Sequence, residues 1–326
     1  MTAVSAENAA ARSAAGMLPA GPGVYRFRDA SNRTLYIGRA GNLRRRVTSY
    51  WGDLGDRPHL QAMVGLISWV EAVSCDSEHE AAWLERNLLA YAIPRWNRAA
   101  GGQEVEVCVR LDGSARAPGL SVVHAGDIAA LASGGLNCGP PAVRHFGPYL
   151  GGAKVRLAVT GLLRIFPLGY AADRPVGAAR EMARRRGVDG ADRGQLVRSL
   201  TAVLDRDPAS VAALRAQLIT RRAAAAQVLA YELAGRINAE LAALDWVTCT
   251  QRTASLDRQD ADIAGWADGV LVRFEVRDGR MRGWRQYARS SAQARPWLTA
   301  TPPHWKDFAH RNALLAACLR QAASAG

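Results

Sequence analysis

The sequence predicts an α+β chain. A small three-stranded antiparallel sheet flanked by helices comes first, then a mixed and mainly helical region, then a short β-containing C-terminal segment. Three observations carry this. Two β-prone runs, residues 23–27 and 34–37, flank the polar turn Arg28-Asp29-Ala30-Ser31-Asn32-Arg33, the pattern of a hairpin. Residues 209–244 are Ala-rich, with Leu214, Leu218, Val228, Leu233, Ile237 and Leu241 spaced as in one or two helices. Residues 270–276 and the turn Asp278-Gly279 read as a late strand and hairpin.

The elements follow in order. Residues 1–18 carry neither a basic n-region nor an apolar h-region, so a disordered tail is expected rather than a signal peptide. Asn42 is placed to cap a helix over 43–50, and Pro58 opens another reaching 67. Residues 69–75 read as the third strand, and Asp76 or Ser77 caps a helix running to about Tyr91. Pro94 closes that helix, and Gly101-Gly102 ends the first domain, 19–100. Val105, Val107 and Val109 alternate as in a strand, and 154–165 form an amphipathic helix with Val155, Ala158, Val159 and Leu162 on one face. The remaining divisions are a basic middle region, 101–200, a helical segment, 201–245, and a C-terminal segment, 246–326.

A chain of 326 residues is long enough for two domains, and its 49% hydrophobic and 22% charged residues exclude a largely disordered protein. The net charge of +13 points to a polyanionic partner, most simply nucleic acid. The basic field is uneven: residues 144–198 carry a net +7 and residues 21–100 a net +3. Five cysteines at least 30 residues apart form no C-x2–4-C pair, which argues against a zinc ribbon or redox site and fits a reducing cytoplasm. No run approaches the length of a membrane span, so no membrane partner is expected.

Several residues together have the makings of a phosphodiester site. Tyr25 and Tyr36 lie on paired strands, Arg39 follows one of them, Arg46 lies on the next helix, Glu85 on a later one, and Asn97 just beyond. Guanidinium suits developing phosphoryl charge, phenol can orient or deprotonate water, and carboxylate can hold one hard cation. On a helical wheel Ala81, Leu84 and Leu88 form the buried stripe, and Glu85 sits about 40° outside it, at the rim. Each residue alone also has an ordinary reading: core tyrosines, a solvated Arg44-Arg45-Arg46 face, a rim glutamate and a turn asparagine. His59, His79 and His145 are unclustered in sequence.

The combined string is more specific. Gly23-Val24-Tyr25 and the run from Tyr36-Ile37-Gly38-Arg39 through Asn42-Leu43-Arg44-Arg45-Arg46 to Tyr50 resemble the GIY-YIG nuclease domain, most closely the version in UvrC and its single-nuclease, Cho-like homologues. Ser77-Glu78-His79-Glu80 through Glu85-Arg86-Asn87-Leu88, and Pro94-Arg95-Trp96-Asn97, match that family in the same order. The resemblance implies a metal-dependent DNA endonuclease making a single-strand incision in nucleotide excision repair. By it Tyr25 and Tyr36 are the motif tyrosines, with Tyr25 the favoured water activator. Arg46 binds the scissile phosphate, Glu85 is the sole protein ligand of one Mg²⁺ or Mn²⁺ ion, and Tyr50 and Asn97 support the site. Arg39 stands where the UvrC branch usually has Lys, so charge is kept while its contact is altered.

The likeness continues. His145-Phe146-Gly147-Pro148-Tyr149 and Leu163-Arg164-Ile165-Phe166-Pro167-Leu168 resemble the UvrC segment after the nuclease. There UvrC has a cysteine-rich cluster; residues 169–195 contain no cysteine, so neither an iron–sulfur cluster nor zinc is expected. DNA contacts are expected from Arg39, Arg44, Arg45 and Arg46, and from Lys154 and Arg156 in the middle region. Residues 223–244 resemble the UVR helical hairpin, which makes UvrB the expected partner through Tyr231 and Glu232; an ordinary packing helix is the equal alternative. Residues 260–265 and 277–279 resemble the lead-in to the RNase H-like domain of UvrC, so 246–326 reads as its truncated remnant. The expected substrate is damaged double-stranded DNA and the expected location the cytoplasm, on the nucleoid. Two other functions stay open: a non-cutting DNA-binding adaptor, and a structure-specific nuclease independent of UvrB.

Overall fold

Strand β1 (Gly23–Arg28) is apolar or buried along nearly its whole length, which suits only a central strand covered on both faces. It pairs antiparallel with β2 (Thr34–Ala40) and β3 (Trp69–Ser74), in the order β2-β1-β3. The Asp29 carboxylate accepts the amides of Ser31 (3.0 Å) and Arg33 (2.9 Å), closing the expected turn. The structure, a computed structural model, describes residues 3–54, 58–98, 104–128 and 143–324; the expected boundary at Gly101-Gly102 lies outside them. The chain divides into two compact units, Met1–Gln103 with Thr250–Gly326, and Glu104–Cys249.

In the first unit the expected disordered tail is a helix, α1 (Ala3–Gly16). Ala11, Ala14 and Ala15 bury a stripe of small side chains in one core with Leu18, Tyr25, Phe27 and Leu319. Asn8 ties the helix down, donating to the carbonyls of Val64 (2.6 Å) and Ile67 (3.0 Å) and accepting from Trp51 Nε1 (3.0 Å). Small residues carry little hydrophobic signal in sequence, yet they allow close packing. Helix α2 (Leu43–Thr48) is capped by Asn42, whose Oδ1 accepts the Arg45 amide at 2.9 Å. A short 3₁₀ turn, Ser49–Trp51, continues it. The expected helix over 58–67 is a 3₁₀ turn, Pro58–Leu60, and one turn of α3 (Gln61–Val64). Helix α4 (Glu78–Tyr91) starts at Ser77, which accepts the Glu80 amide at 3.0 Å, and it buries the predicted Ala81, Leu84 and Leu88.

The second face of the β2-β1-β3 sheet is covered by the C-terminal segment. Strands β7 (Ala261–Ala267), β8 (Val270–Arg277) and β9 (Arg280–Ala288) form an antiparallel sheet in that order. Its turns, Asp268-Gly269 and Asp278-Gly279, both hold two residues at positive φ, the hairpin geometry that Asp-Gly favours. Helix α10 (Ser291–Ala300) and helix α11 (Lys306–Ser324) follow. Gly265 lacks the Cβ that would strike the Ala309 carbonyl, so α11 can lie against β7. Val272, Phe274, Trp284 and Phe308 share one hydrophobic core with Val24, Ile37, Val73, Leu84 and Leu88. Asn312 completes the join: its Oδ1 accepts the Ser74 amide at 2.7 Å and its Nδ2 donates to the Ser74 carbonyl at 3.2 Å. The segment expected as a remnant thus forms half of a core.

The second unit holds strands β4 (Glu106–Asp112), β5 (Gly119–His124) and β6 (Val143–Leu150), in the order β5-β4-β6. Helices α5 (Gly152–Ile165), α6 (Ala178–Arg186), α7 (Arg193–Leu204), α8 (Pro208–Gln227) and α9 (Tyr231–Thr248) follow. The predicted stripe of α5, Val155, Ala158, Val159 and Leu162, is buried with Leu214, Leu218, Ile237 and Leu244. Glu240, fully buried, takes a two-pronged ion pair from Arg164 at 2.6 and 2.7 Å. The Ala-rich stretch is two helices, broken where Leu229 takes a φ of 60°. No helix among the described residues is long and apolar enough to cross a membrane.

Candidate active site

The alternation of side chains along β1 puts Tyr25 and Phe27 on one face of the first sheet. Phe27 stands opposite Tyr36 on β2, and Tyr25 opposite Gly38, so the two tyrosines are diagonal neighbours with ring centroids 6.2 Å apart. Gly38 makes this possible. A Cβ there would lie 2.6 Å from the Tyr25 hydroxyl and 2.8 Å from the Tyr36 ring.

Helix α2 brings the guanidinium, and the 3₁₀ turn after it brings the third phenol. Arg46 and Tyr50 are four residues apart, and the Arg46 guanidinium lies 5.5 Å from the centre of the Tyr50 ring. The Tyr25 and Tyr50 hydroxyls share a hydrogen bond of 2.8 Å. Both these side chains are buried; Tyr36, by contrast, keeps partial contact with solvent.

Glu85 reaches β2 from α4. Its Oε1 accepts the Arg39 amide at 3.1 Å, and its Oε2 lies 3.2 Å from the Arg39 guanidinium, with the carboxylate side chain 18% exposed. The rim position read from the helical wheel is the one observed.

The electrostatics join the two halves. Burial, then the Tyr50 and Tyr36 phenols, push the Tyr25 pKa well above its ordinary 10.0, against the opposing pull of Arg46. Burial also raises Tyr36, aided by Tyr50 and by the Glu85 charge, and again opposed by Arg46. Burial works against the charge of Arg46, but Tyr25, Tyr50 and Tyr36 outweigh it and hold that pKa above the usual value. Tyr36 therefore feels Arg46 and Glu85 together, with opposite sign.

Other residues fall elsewhere. Asn97 directs its amide to backbone: Oδ1 accepts the Ile37 amide at 3.0 Å and Nδ2 donates to the Ile37 carbonyl at 2.8 Å. It acts as a short extra strand along β2, fixing the backbone beside Tyr36. Arg44 donates to the Leu18 carbonyl at 2.7 Å, and Arg45 is exposed. Lys154 and Arg156 are exposed on α5 of the second unit, with the Lys154 ammonium 5.2 Å from the Trp246 ring centre. Tyr231 and Glu232 are exposed at the start of α9, beside exposed Val228 and Leu229. Reading the sequence for functional groups passed over Gly38; its place in the string Tyr36-Ile37-Gly38, opposite a tyrosine in hairpin register, is the signal that marks it.

Among the described residues no three His, Cys, Asp or Glu side chains are grouped as a metal cage. A hard cation such as Mg²⁺ needs only one or two carboxylates when water and phosphate oxygens complete its shell. Glu85, at a solvent-reachable rim beside a phenol, fits that mode of binding.

The comparisons agree with this geometry. The profile of the UvrC-like GIY-YIG domain matches residues 21–98. The chain is 31% identical over 304 residues to the UvrABC system protein C of Corynebacterium aurimucosum, covering 87% of this chain and 42% of that one. It is 32% identical over 290 residues to that of Salinispora arenicola, covering 84% and 42%, and 31% identical over 304 residues to that of Mycobacterium marinum, covering 84% and 43%. The chain thus spans about two fifths of the length of these relatives. No solved structure matches it significantly. With the tyrosine pair, the α2 arginine and the α4 glutamate in place, residues 21–98 are a UvrC-like GIY-YIG domain, in a chain similar over most of its length to UvrABC system protein C.

Proposed function

We propose that this chain is a metal-dependent DNA endonuclease that makes a single-strand incision during nucleotide excision repair, acting on damaged double-stranded DNA in the cytoplasm. The observation that carries the proposal is the packing of Tyr36 against Tyr25 and Tyr50, with Arg46 over the Tyr50 ring and Glu85 held at β2, in a UvrC-like GIY-YIG domain. In this reading the Arg46 guanidinium grips the non-bridging oxygens of the scissile phosphate and meets the charge that develops there. Tyr36, the phenol with solvent contact, orients the attacking water by a hydrogen bond; its raised pKa favours that role over acting as a phenolate base. The buried Tyr25–Tyr50 pair positions Tyr36 and Arg46, and Arg39 turns from Glu85 towards the DNA backbone when substrate arrives. A divalent cation held by Glu85, Mg²⁺ or Mn²⁺, supplies Lewis-acid stabilisation of phosphate charge. Arg44 and Arg45 are assigned to flanking phosphates, and so are Lys154 and Arg156.

UvrB is the proposed loading partner. Support comes from the resemblance of residues 223–244 to the UVR hairpin and from the exposed apolar side chains of Val228, Leu229 and Tyr231 at its turn. A pull-down with UvrB bound to DNA is expected to retain the wild type and lose a Tyr231→Ala/Glu232→Ala variant.

The test is incision of a labelled strand carrying one defined lesion, with and without UvrB. Arg46→Ala and Glu85→Gln are each expected to slow nicking by about 10²–10³-fold. Full nicking by Glu85→Gln would sink the role given to that carboxylate. The Arg39–Glu85 ion pair favours a second reading, a non-cutting DNA-binding adaptor, because it neutralises the only assigned metal ligand. A nick abolished by EDTA excludes that reading.

A further inference from the structure

A cavity of about 610 Å³ lies within the first unit, between strands β1 and β2 and strand β9. Six arginines line it: Arg26, Arg28, Arg273, Arg277, Arg282 and Arg285. Asp262 and Glu275 are the only acidic residues in its lining. Some of this charge is satisfied. Arg26 and Arg28 share the Glu71 carboxylate, and Arg277 pairs with Asp262 (3.0 Å) and Glu275 (3.4 Å). Arg273, Arg282 and Arg285 have no carboxylate partner among the described residues.

Arg273 and Arg285 stand directly opposite each other on β8 and β9, a like-charge pairing offset on one side by Trp297, whose ring centre lies 3.5 Å from the Arg273 guanidinium. Arg26, stacked 4.0 Å over Trp284 and donating to the Trp284 carbonyl at 2.9 Å, is held in the same field. Burial first, then the Arg28 and Arg285 charges, lower its pKa to about 10 despite Glu71. A polyanion in the cavity would relieve both.

The cavity also has an aromatic rim, Tyr91, which is 76% exposed; Tyr287 in its lining packs with Leu271 and Leu298. The cavity lies on the far face of the first sheet from the tyrosines and approaches the candidate active site only along α4. Ile37, which lines it, points to the opposite face from Tyr36, and Leu88, which also lines it, lies one turn beyond Glu85. Its volume suits roughly one or two nucleotides and is too small for a duplex.

We propose that this groove holds single-stranded DNA, with Arg282 and Arg285 on its phosphates and Tyr91 against its bases. The substrate class rests on the nuclease reading. The groove itself is a second, non-catalytic binding track for one strand.

The experiment is fluorescence anisotropy of the full chain with a labelled oligothymidylate of 15 nucleotides, in EDTA so that no cleavage occurs, over a series of salt concentrations. Arg282→Ala/Arg285→Ala is expected to weaken binding about tenfold and to reduce the slope of log affinity against log salt by about 1.4, two phosphate contacts' worth. Tyr91→Ala is expected to weaken binding roughly tenfold with the salt slope unchanged. Arg12→Ala/Arg295→Ala removes equal charge from exposed positions outside the groove and is expected to bind as the wild type does. Wild-type affinity in the Arg282/Arg285 variant overturns the proposal, as does an equal loss in the control. Competition by thymidine monophosphate at the oligonucleotide's own concentration range overturns it in favour of a free-nucleotide site. Because the readout is binding, a chain that never nicks DNA but behaves as expected here refutes the nuclease reading and leaves the groove standing.

Discussion

The hydroxyls of Tyr25 and Tyr50 lie 2.8 Å apart inside the protein, one from the central strand and the other from the turn after α2. This contact joins the sheet that carries both motif tyrosines to the segment that carries Arg46. It is structural in the first instance, because neither phenol is reachable by bulk water.

Removing the Tyr25 hydroxyl leaves that of Tyr50 without this partner in a buried site. We expect Tyr25→Phe to destabilise the protein by about 1–3 kcal/mol in urea unfolding. Tyr36→Phe, at a partly exposed ring, is expected to change stability by less than about 1 kcal/mol while nicking falls markedly. Equal stability losses in the two variants would contradict the division of roles.

Gly38→Ala places a methyl group against both tyrosines. Overpacking of this kind costs about 1–3 kcal/mol, and the near-ultraviolet circular dichroism of the cluster is expected to change with it. An unchanged spectrum and wild-type unfolding midpoint would show that the phenols have room to move.

The raised Tyr25 pKa has a consequence at high pH. The folded state keeps the phenol protonated where the unfolded chain, titrating near 10, has begun to lose its proton. Its contribution is therefore fully present below about pH 10 and declines as the pH climbs from there towards the folded value. Unfolding free energies measured at pH 8 and pH 10.5 are expected to diverge more in the wild type than in Tyr25→Phe.

Arg46→Lys keeps the charge and discards the planar fork. Incision is expected to fall by about 10²-fold or more, with a far smaller effect on DNA affinity. Single-turnover rates at saturating protein separate the two quantities, and a near-normal rate would mean that a point charge suffices.

Asn312→Ala removes both bonds to the Ser74 backbone, and Phe274→Ala opens the core shared with Leu84 and Leu88. Losses of about 1–3 and 3–5 kcal/mol are expected. Both should appear in one cooperative transition that includes the tyrosine cluster. A separate early transition, with near-ultraviolet signal retained, would show that the C-terminal segment is dispensable to the nuclease fold.

Much of this protein is written locally. Asn42 and Ser77 cap their helices, Asp278-Gly279 turns its hairpin, and the Ala81-Leu84-Leu88 stripe faces the core, because each depends on neighbours within a few residues. The same period placed Glu85 at the rim. What resisted reading lacks a local signal. Helix α1 buries alanines, which look alike in a tail and in a tight interface. Strand β6 is stabilised by pairing to β4 across a long connection, and Asn97 finds its partner 60 residues away.

Amino-acid order by itself determined the domain type and singled out the candidate phenols, guanidinium and carboxylate, since motif spacing and strand alternation are properties of the covalent chain. Tertiary structure alone decided that Tyr36 rather than Tyr25 meets solvent, and that Glu85 is held by Arg39. It also decided that residues 250–324 close the far face of the first sheet and line an arginine groove there. Burial and long-range charge arise only when segments distant in sequence exclude water from one another.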